Sequence, residues 1–341
     1  MTRNTSAAGT VRFAKMQGIG NDYVYLETFG KFPRNAPALA RAISDRHFGV
    51  GGDGMVLIGP SARADFSMRI FNADGSEAEM CGNAIRCVGK YVYDRSMTKK
   101  TSLSIDTPAG IRFLSLLLKG NTVSAVRVDM GEPVFDANRI PMAIPEALFI
   151  NRKIVIDDVL YHATAVSMGN PHLVVPVPDV DALDLARIGP QFENHSLFPK
   201  RINTEFVQVV SPNMVRVRVW ERGSGETLAC GTGACATVAA CARAQLTGRE
   251  VTVRLTGGDL LIEWHTNGTL FMTGPATHVF DGTYSVPPDL AMERAMPGHF
   301  RRRRFMRLFP RTVFPAVTPD ESGPVRSVNT RKLFQESVWR E

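Results

Sequence analysis

The sequence predicts an α/β fold of the α+β type, built as two pseudo-symmetric domains of mixed or antiparallel sheet. Three observations carry that expectation. Two segments repeat at a constant offset, strand-like runs follow one another through short Gly- or Asn-containing turns, and each repeat ends in Cys-Gly leading into a helix.

The repeat is read from MRIFNADGSEAEMCGNA (residues 68–84) set against VRVWERGSGETLACGTG (residues 217–233). Arg69 precedes Cys81 by twelve residues, and Arg218 precedes Cys230 by twelve. Upstream, Asn21 stands 60 residues before Cys81, and Asn170 stands 60 before Cys230. Three landmarks at one offset of 149 residues point to two copies of one structural unit. A common strand–turn–helix connection used twice is the weaker explanation.

Within the first copy, alternating or apolar runs predict strands at 11–16, 56–58, 68–71, 103–106, 111–118 and 123–130. The second copy offers strands at 162–166, 173–177, 204–210, 214–221, 251–255 and 260–265. Helical spacing predicts helices over 36–45, 83–94, 180–192 and 233–246, with Gly248 placed to end the last. Turns such as Lys119-Gly120-Asn121 and Thr266-Asn267-Gly268 favour antiparallel or mixed sheets over a doubly wound parallel one. The Pro-rich stretch 132–159 marks a junction. The expected division is an N-terminal extension (1–10), a first domain (11–130) completed by a strand from 274–287, a second domain (131–273) and a basic, disordered tail (288–341).

Charge separates tail from body. The chain has 341 residues and a net charge of +7. Eleven Lys and Arg and four Asp and Glu lie from Arg294 onward, leaving 29 of each sign before it. The body is neutral, so the bulk charge singles out no polyanionic substrate and no nucleic acid is required. No apolar run approaches the ~20 residues of a membrane span, and the N-terminus carries no apolar leader core, so a cytoplasmic protein is expected.

Five cysteines without Cys-x-x-Cys spacing, and without nearby His, argue against both a disulfide framework and a zinc site. Cys87, Cys235 and Cys241 lie among Ala, Val and Ile inside helices and read as buried packing residues. Cys81 and Cys230 differ. Each stands at a helix entry beside glycine, where free backbone N–H groups and the helix dipole favour a thiolate and can bind a carboxylate. Paired across a pseudo-symmetric interface, a thiolate and a thiol can remove a proton from one face of a carbon and return one to the other. Reversal of configuration is the chemistry that such symmetry suits.

The stretches FAKMQGIGNDYVYLE (13–27), DRHFGVGGDG (45–54), FNADGSEAEMCGNAIRC (71–87), SMGNPHLVV (167–175), INTEFV (202–207) and WERGSGETLACGTGACA (220–236) resemble diaminopimelate epimerases, in unbroken order from about 11 to 286. The resemblance implies two similar domains, each with its sheet around a central helix and the substrate between them. It implies interconversion of LL- and meso-diaminopimelate, for lysine and peptidoglycan precursors, with no metal and no pyridoxal cofactor. Cys81 and Cys230 match the catalytic pair of that family. Gly82 with Asn83, and Gly231 with Thr232, match the backbone cradles for the reacting carboxylate. Asn21, Asn72, Asn170, Asn203, Glu221 and Arg222 match groups that hold the substrate; Arg222 suits the distal carboxylate, and Glu221 the distal ammonium. His172 resembles a residue near the site. Gly54 stands where some members carry Gln, which leaves that contact open. The expected partner is a small amino acid, and a homodimer is compatible with the chain. The alternatives are a proline or hydroxyproline racemase, whose first site resembles Cys-Gly-His rather than Cys81-Gly82-Asn83, and an inactive binding module on the same fold. A nucleic-acid binder has only the tail in its favour.

Overall fold

The structure is a computed structural model that describes residues 9–294, all within one compact unit. Residues 1–8 and 295–341, and with them most of the expected tail, lie outside the described residues.

The first copy runs β1 (Gly9–Gly18), β2 (Asn21–Glu27), β3 (Lys31–Pro33), α1 (Ala36–Ser44), β4 (Gly54–Gly59), β5 (Phe66–Asn72) and β6 (Glu77–Ala78). It continues through α2 (Gly82–Asp94), β7 (Ser102–Thr107), β8 (Gly110–Lys119) and β9 (Thr122–Gly131). The second opens with β10 (Arg152–Ile156), β11 (Val159–Ser167), β12 (Pro171–Pro176), α3 (Leu185–Glu193), β13 (Asn203–Ser211) and β14 (Met214–Glu221). It closes with β15 (Gly225–Thr227), α4 (Gly231–Arg243), β16 (Glu250–Leu255), β17 (Gly258–Trp264) and β18 (Leu270–Gly274). Moving α1, α2, β2 and β4 forward by 149 residues lands on the first residues of α3 and α4, and of β13, and one residue before the start of β12. The ion pair Arg69–Glu77 (2.6 Å) likewise recurs as Arg218–Glu226 (2.8 Å).

Both copies form the same ladder. Neighbours are antiparallel except β2–β4 and β5–β7, and their equivalents β12–β13 and β14–β16. Those four parallel pairs are the ones whose connections carry α1, α2, α3 and α4, as parallel pairing requires a crossover. The equivalent strands β9 and β18 then pair with each other, Val126 opposite Gly274 and Arg127 opposite Thr273, so the copies share one continuous sheet across a pseudo-two-fold seam. A long strand β19 (Thr277–Val286) returns to flank β1, while the shorter β10 flanks β11.

Helices α2 and α4 are the central ones. Both are buried on nearly every side, α4 because its run of Ala, Gly and Cys lets strands approach closely, and together they organise the largest core. Helices α1 and α3 pack outside under their own apolar clusters. Each is begun by a side-chain cap, Asn35 accepting from the Ala38 N–H and Asp184 from the Arg187 N–H. Asp184 explains why α3 begins at Leu185 rather than at 180. Residues 288–294, expected to open the tail, instead form a short 3₁₀ turn (Pro288–Leu290) and β20 (Met292–Arg294), which pairs with β3. Among the described residues no helix is long and apolar enough to cross a membrane.

Candidate active site

Cys81 and Cys230 are the N-caps of α2 and α4. That position prefers Ser, Thr, Asp or Asn, whose oxygen accepts a backbone N–H. Here sulfur does it: Cys81 Sγ accepts from the Ala84 N–H at 3.5 Å, and Cys230 Sγ from the Gly233 N–H at 3.4 Å. Both caps have extended backbone, and the next residue of each helix is glycine. A Cβ on Gly231 would lie 3.5 Å from the Gly82 Cα, and one on Gly82 would lie 2.7 Å from the Met272 methyl. The two helix N-termini therefore abut over Met272, close enough that a side chain at either glycine would press on its flexible end.

The asparagines of the repeat stand beside the thiols. Asn21 Oδ1 accepts from Cys81 Sγ at 3.4 Å. Asn170 donates to Thr232 Oγ1 at 3.4 Å, and Thr232 Oγ1 lies 3.5 Å from Cys230 Sγ. Both follow a glycine with positive φ, Gly20 (90°) and Gly169 (97°), a conformation glycine adopts at no steric cost. His172 is fully buried with both ring nitrogens engaged, one 2.7 Å from Glu205 Oε1 and the other 3.0 Å from Asn170 Oδ1. Asn83 is buried and donates to the Ala229 carbonyl, beside Cys230, at 3.3 Å. Glu221 accepts from the Thr227 hydroxyl and is close enough for its charge to act on both thiols. Asn203 and Arg222 form a second cluster: Asn203 Oδ1 accepts from the Arg222 N–H at 2.9 Å, and the Arg222 guanidinium donates to the Lys200 carbonyl. Asn72 is engaged locally, donating to Ser76 Oγ at 2.9 Å.

The thiol acidity reverses the sequence-based expectation. Burial dominates at Cys81 and lifts its pKa above the ordinary thiol value; the Ala84 and Asn83 N–H groups oppose that rise, and Glu221 adds to it. Cys230 is lifted well above the ordinary value by burial, then by Glu221 and Glu205. The helix N-terminus does favour the thiolate, but dehydration outweighs it. Cys87, Cys235 and Cys241 are buried, with burial pushing them to about 11, 12 and 12.

Several contributors were not picked out from the sequence. Asp53 Oδ2 accepts from the Asn21 amide at 2.7 Å and is itself held by Arg46. Tyr23, buried next to Cys81, and Glu205, buried under His172, sit on strands where alternation alone marks a position as inward and says nothing of its partner. Gly54 pairs opposite Asn72, and any Cβ there would run into the Phe71 carbonyl oxygen and come within 2.8 Å of the Tyr23 ring. Gly54→Ala should therefore cost about 1–3 kcal/mol of stability in urea unfolding; an unchanged midpoint would mean β4 and β5 separate freely.

Two thiols at abutting helix N-termini, on duplicated halves, are an arrangement suited to proton transfer at both faces of one carbon, as in a racemase or epimerase. Solved structures share the fold. A hydroxyproline epimerase from Agrobacterium vitis aligns with a TM-score of 0.58 at 13% identity, covering 82% of this chain and 93% of that one. A phenazine-biosynthesis protein of the PhzF family from Bacillus anthracis aligns at 0.55 and 17% identity, covering 81% and 99%. At such identities the likeness is one of fold. A family model for diaminopimelate epimerase matches residues 13–135 and 164–279. Diaminopimelate epimerases of Acetivibrio thermocellus and Desulfovibrio desulfuricans are each 53% identical to it, over 80% and 82% of this chain and 98% and 100% of theirs. The chain belongs to the diaminopimelate epimerase family.

Proposed function

We propose that this chain is a diaminopimelate epimerase that interconverts the LL and meso isomers through Cys81 and Cys230, supplying precursors of lysine and peptidoglycan from the cytoplasm. Its halves act as two domains, 11–130 and 131–273, with the reacting carbon between them. The observation that carries the reading is the abutment of the two thiol-capped helix N-termini, Gly231 against Gly82.

In one direction a thiolate takes the α-proton: the C–H bond breaks, an S–H bond forms, and the electron pair moves onto the α-carboxylate. The opposite thiol then delivers its proton to the other face, and the thiolate has changed sides. The backbone N–H groups at Gly82–Asn83 and Gly231–Thr232 hold the carboxylate as its charge grows, each such donor contributing about 3–4 kcal/mol. Asn21, Asn72, Asn170, Asn203 and Arg222 bind the remaining groups, Arg222 taking the distal carboxylate; Glu221 takes an ammonium. Asp53 and Glu205, through Asn21 and His172, hold these groups in place.

Proton NMR of LL-diaminopimelate in deuterated buffer is the test, with proline alongside. Appearance of the meso isomer with deuterium at one α-carbon, and unchanged proline, is the expected result; exchange of proline alone would assign the chain to the racemases. The same assay predicts a pH profile. Both thiols are raised by burial, so the singly deprotonated pair is scarce at neutral pH. Activity should rise as pH increases into the alkaline range and fall once the second thiol also ionises, the two limbs belonging to the pair. A profile flat from pH 6 to 10 would contradict it.

A further inference from the structure

The two halves match in their thiols, in the glycine after each thiol and in Asn21 with Asn170, but not in charge. Stepping back 149 residues from Glu221, Glu205 and His172 leads to Asn72, Val56 and Tyr23, so these two carboxylates are peculiar to the Cys230 half, while Asp53, behind Asn21, is peculiar to the Cys81 half. Stepping forward from Arg86 leads to Cys235. Arg86 is thus a cation with no counterpart in the other half.

Its placement is unusual. Arg86 is fully buried, and among the described residues no other arginine is. Its guanidinium donates only to neutral acceptors: Nε to the Pro275 carbonyl at 3.0 Å, Nη1 to the Gly82 carbonyl at 3.1 Å and to Asn83 Oδ1 at 2.9 Å. Nη2 is buried without a partner. Two glycines from different halves make the slot, since a Cβ on Gly18 would lie 3.0 Å from Nη2 and one on Gly274 3.1 Å from Nε. A dehydrated charge without a counter-ion costs several kcal/mol, and such exceptions concentrate at functional sites. From this slot Arg86 acts on both helix entries. It holds the first turn of α2, whose N–H groups face Cys81, and it fixes Asn83, whose amide grips the Ala229 carbonyl next to Cys230.

We propose that Arg86 is a positioning residue for epimerisation: its unpaired charge stabilises negative charge on the Cys81 side, and its fork locks the two helix N-termini in register. This rests on the two-thiol reading above. The groups around Cys81 are Tyr23 and Tyr25 on β2, Asp53 just before β4 acting through Asn21, Arg86 and Cys87 on α2, and Glu221 on β14. Arg86 is the cation among them. Its field opposes the raising of Cys81 by burial and Glu221.

The test compares Arg86→Met, Arg86→Gln and Arg86→Lys with the full-length parent. Iodoacetamide labelling of Cys81 and Cys230 is read by peptide mass spectrometry across pH, without substrate, beside kcat and KM. Removing a buried unpaired charge need not unfold a protein, and Gln serves as the neutral variant if Met fails to fold. In the neutral variants the Cys81 profile should move about one pH unit upward, with Cys230 unmoved. Turnover should fall about 10²-fold with KM within about threefold, the mark of an interaction made in the transition state. Arg86→Lys should restore the Cys81 profile but only part of kcat, because the charge returns without the fork. An unmoved Cys81 profile in the neutral variants, or equal profiles in Lys and Met, would overturn the proposal. The labelling needs no turnover, so this result stands apart from whether the parent epimerises diaminopimelate.

Discussion

Cys81→Ser and Cys230→Ser should each lower epimerisation about 10²–10⁴-fold, the range that a positioned acid or base supplies, while the protein remains folded. A hydroxyl is nearly isosteric with a thiol but ionises far too weakly to act as the base. Serine is also a preferred N-cap residue, so the contacts now made by sulfur to Ala84 and Gly233 would be kept or shortened. Unfolding midpoints should hold or rise while turnover collapses. That opposition separates chemistry from packing. The same substitution at Cys87 or Cys241, which lie inside helices among apolar side chains, should show the reverse: modest loss of stability and retained turnover. A fully active variant at either cap position would remove the two-thiol mechanism.

Glu221→Gln should move two readouts in opposite directions. Burial raises both thiols, and the Glu221 charge adds to that rise at each. Neutralising it should shift thiol labelling at Cys81 and Cys230 toward lower pH, making both more reactive near neutrality. Turnover should nevertheless fall about 10–100-fold, because the carboxylate proposed to accept the substrate ammonium is gone and with it a hydrogen bond to a charged group. The Thr227 hydroxyl can still donate to the Gln carbonyl, so the side chain should keep its place. Faster labelling with unchanged turnover would confine Glu221 to tuning the thiols. Unchanged labelling would mean that its charge is not felt at sulfur.

Much of this was legible in the residues. The offset of 149 located both thiols, both Asn residues and the helix entries, because a duplicated unit repeats its special backbone positions along with its core. The pairing of β9 with β18 was not legible, since strand order across a duplication is set by packing rather than by local pattern. Arg86 hid for a related reason: an arginine within a helix normally faces water, and nothing in CGNAIRC marks this one as enclosed. The direction of the thiol shifts also depended on the assembled site. A helix N-terminus is visible from Cys-Gly, whereas dehydration depends on what covers it, here elements from both halves. Asp53 and Glu205 act through Asn21 and His172, and partners so far apart in the chain leave no spacing signal.

The seam between β9 and β18 bears on how ligands get in and out. Two lobes joined by a flexible linker can swing apart about a single point. Here the lobes share ladder hydrogen bonds from Val126–Gly274 to Asp129–Phe271, with a Met272 side chain seated beneath both helix entries. Such a joint ties the two lobes along a line of paired backbone rather than at a point. Ligand entry is then expected to leave this ladder paired and the two helix entries abutting.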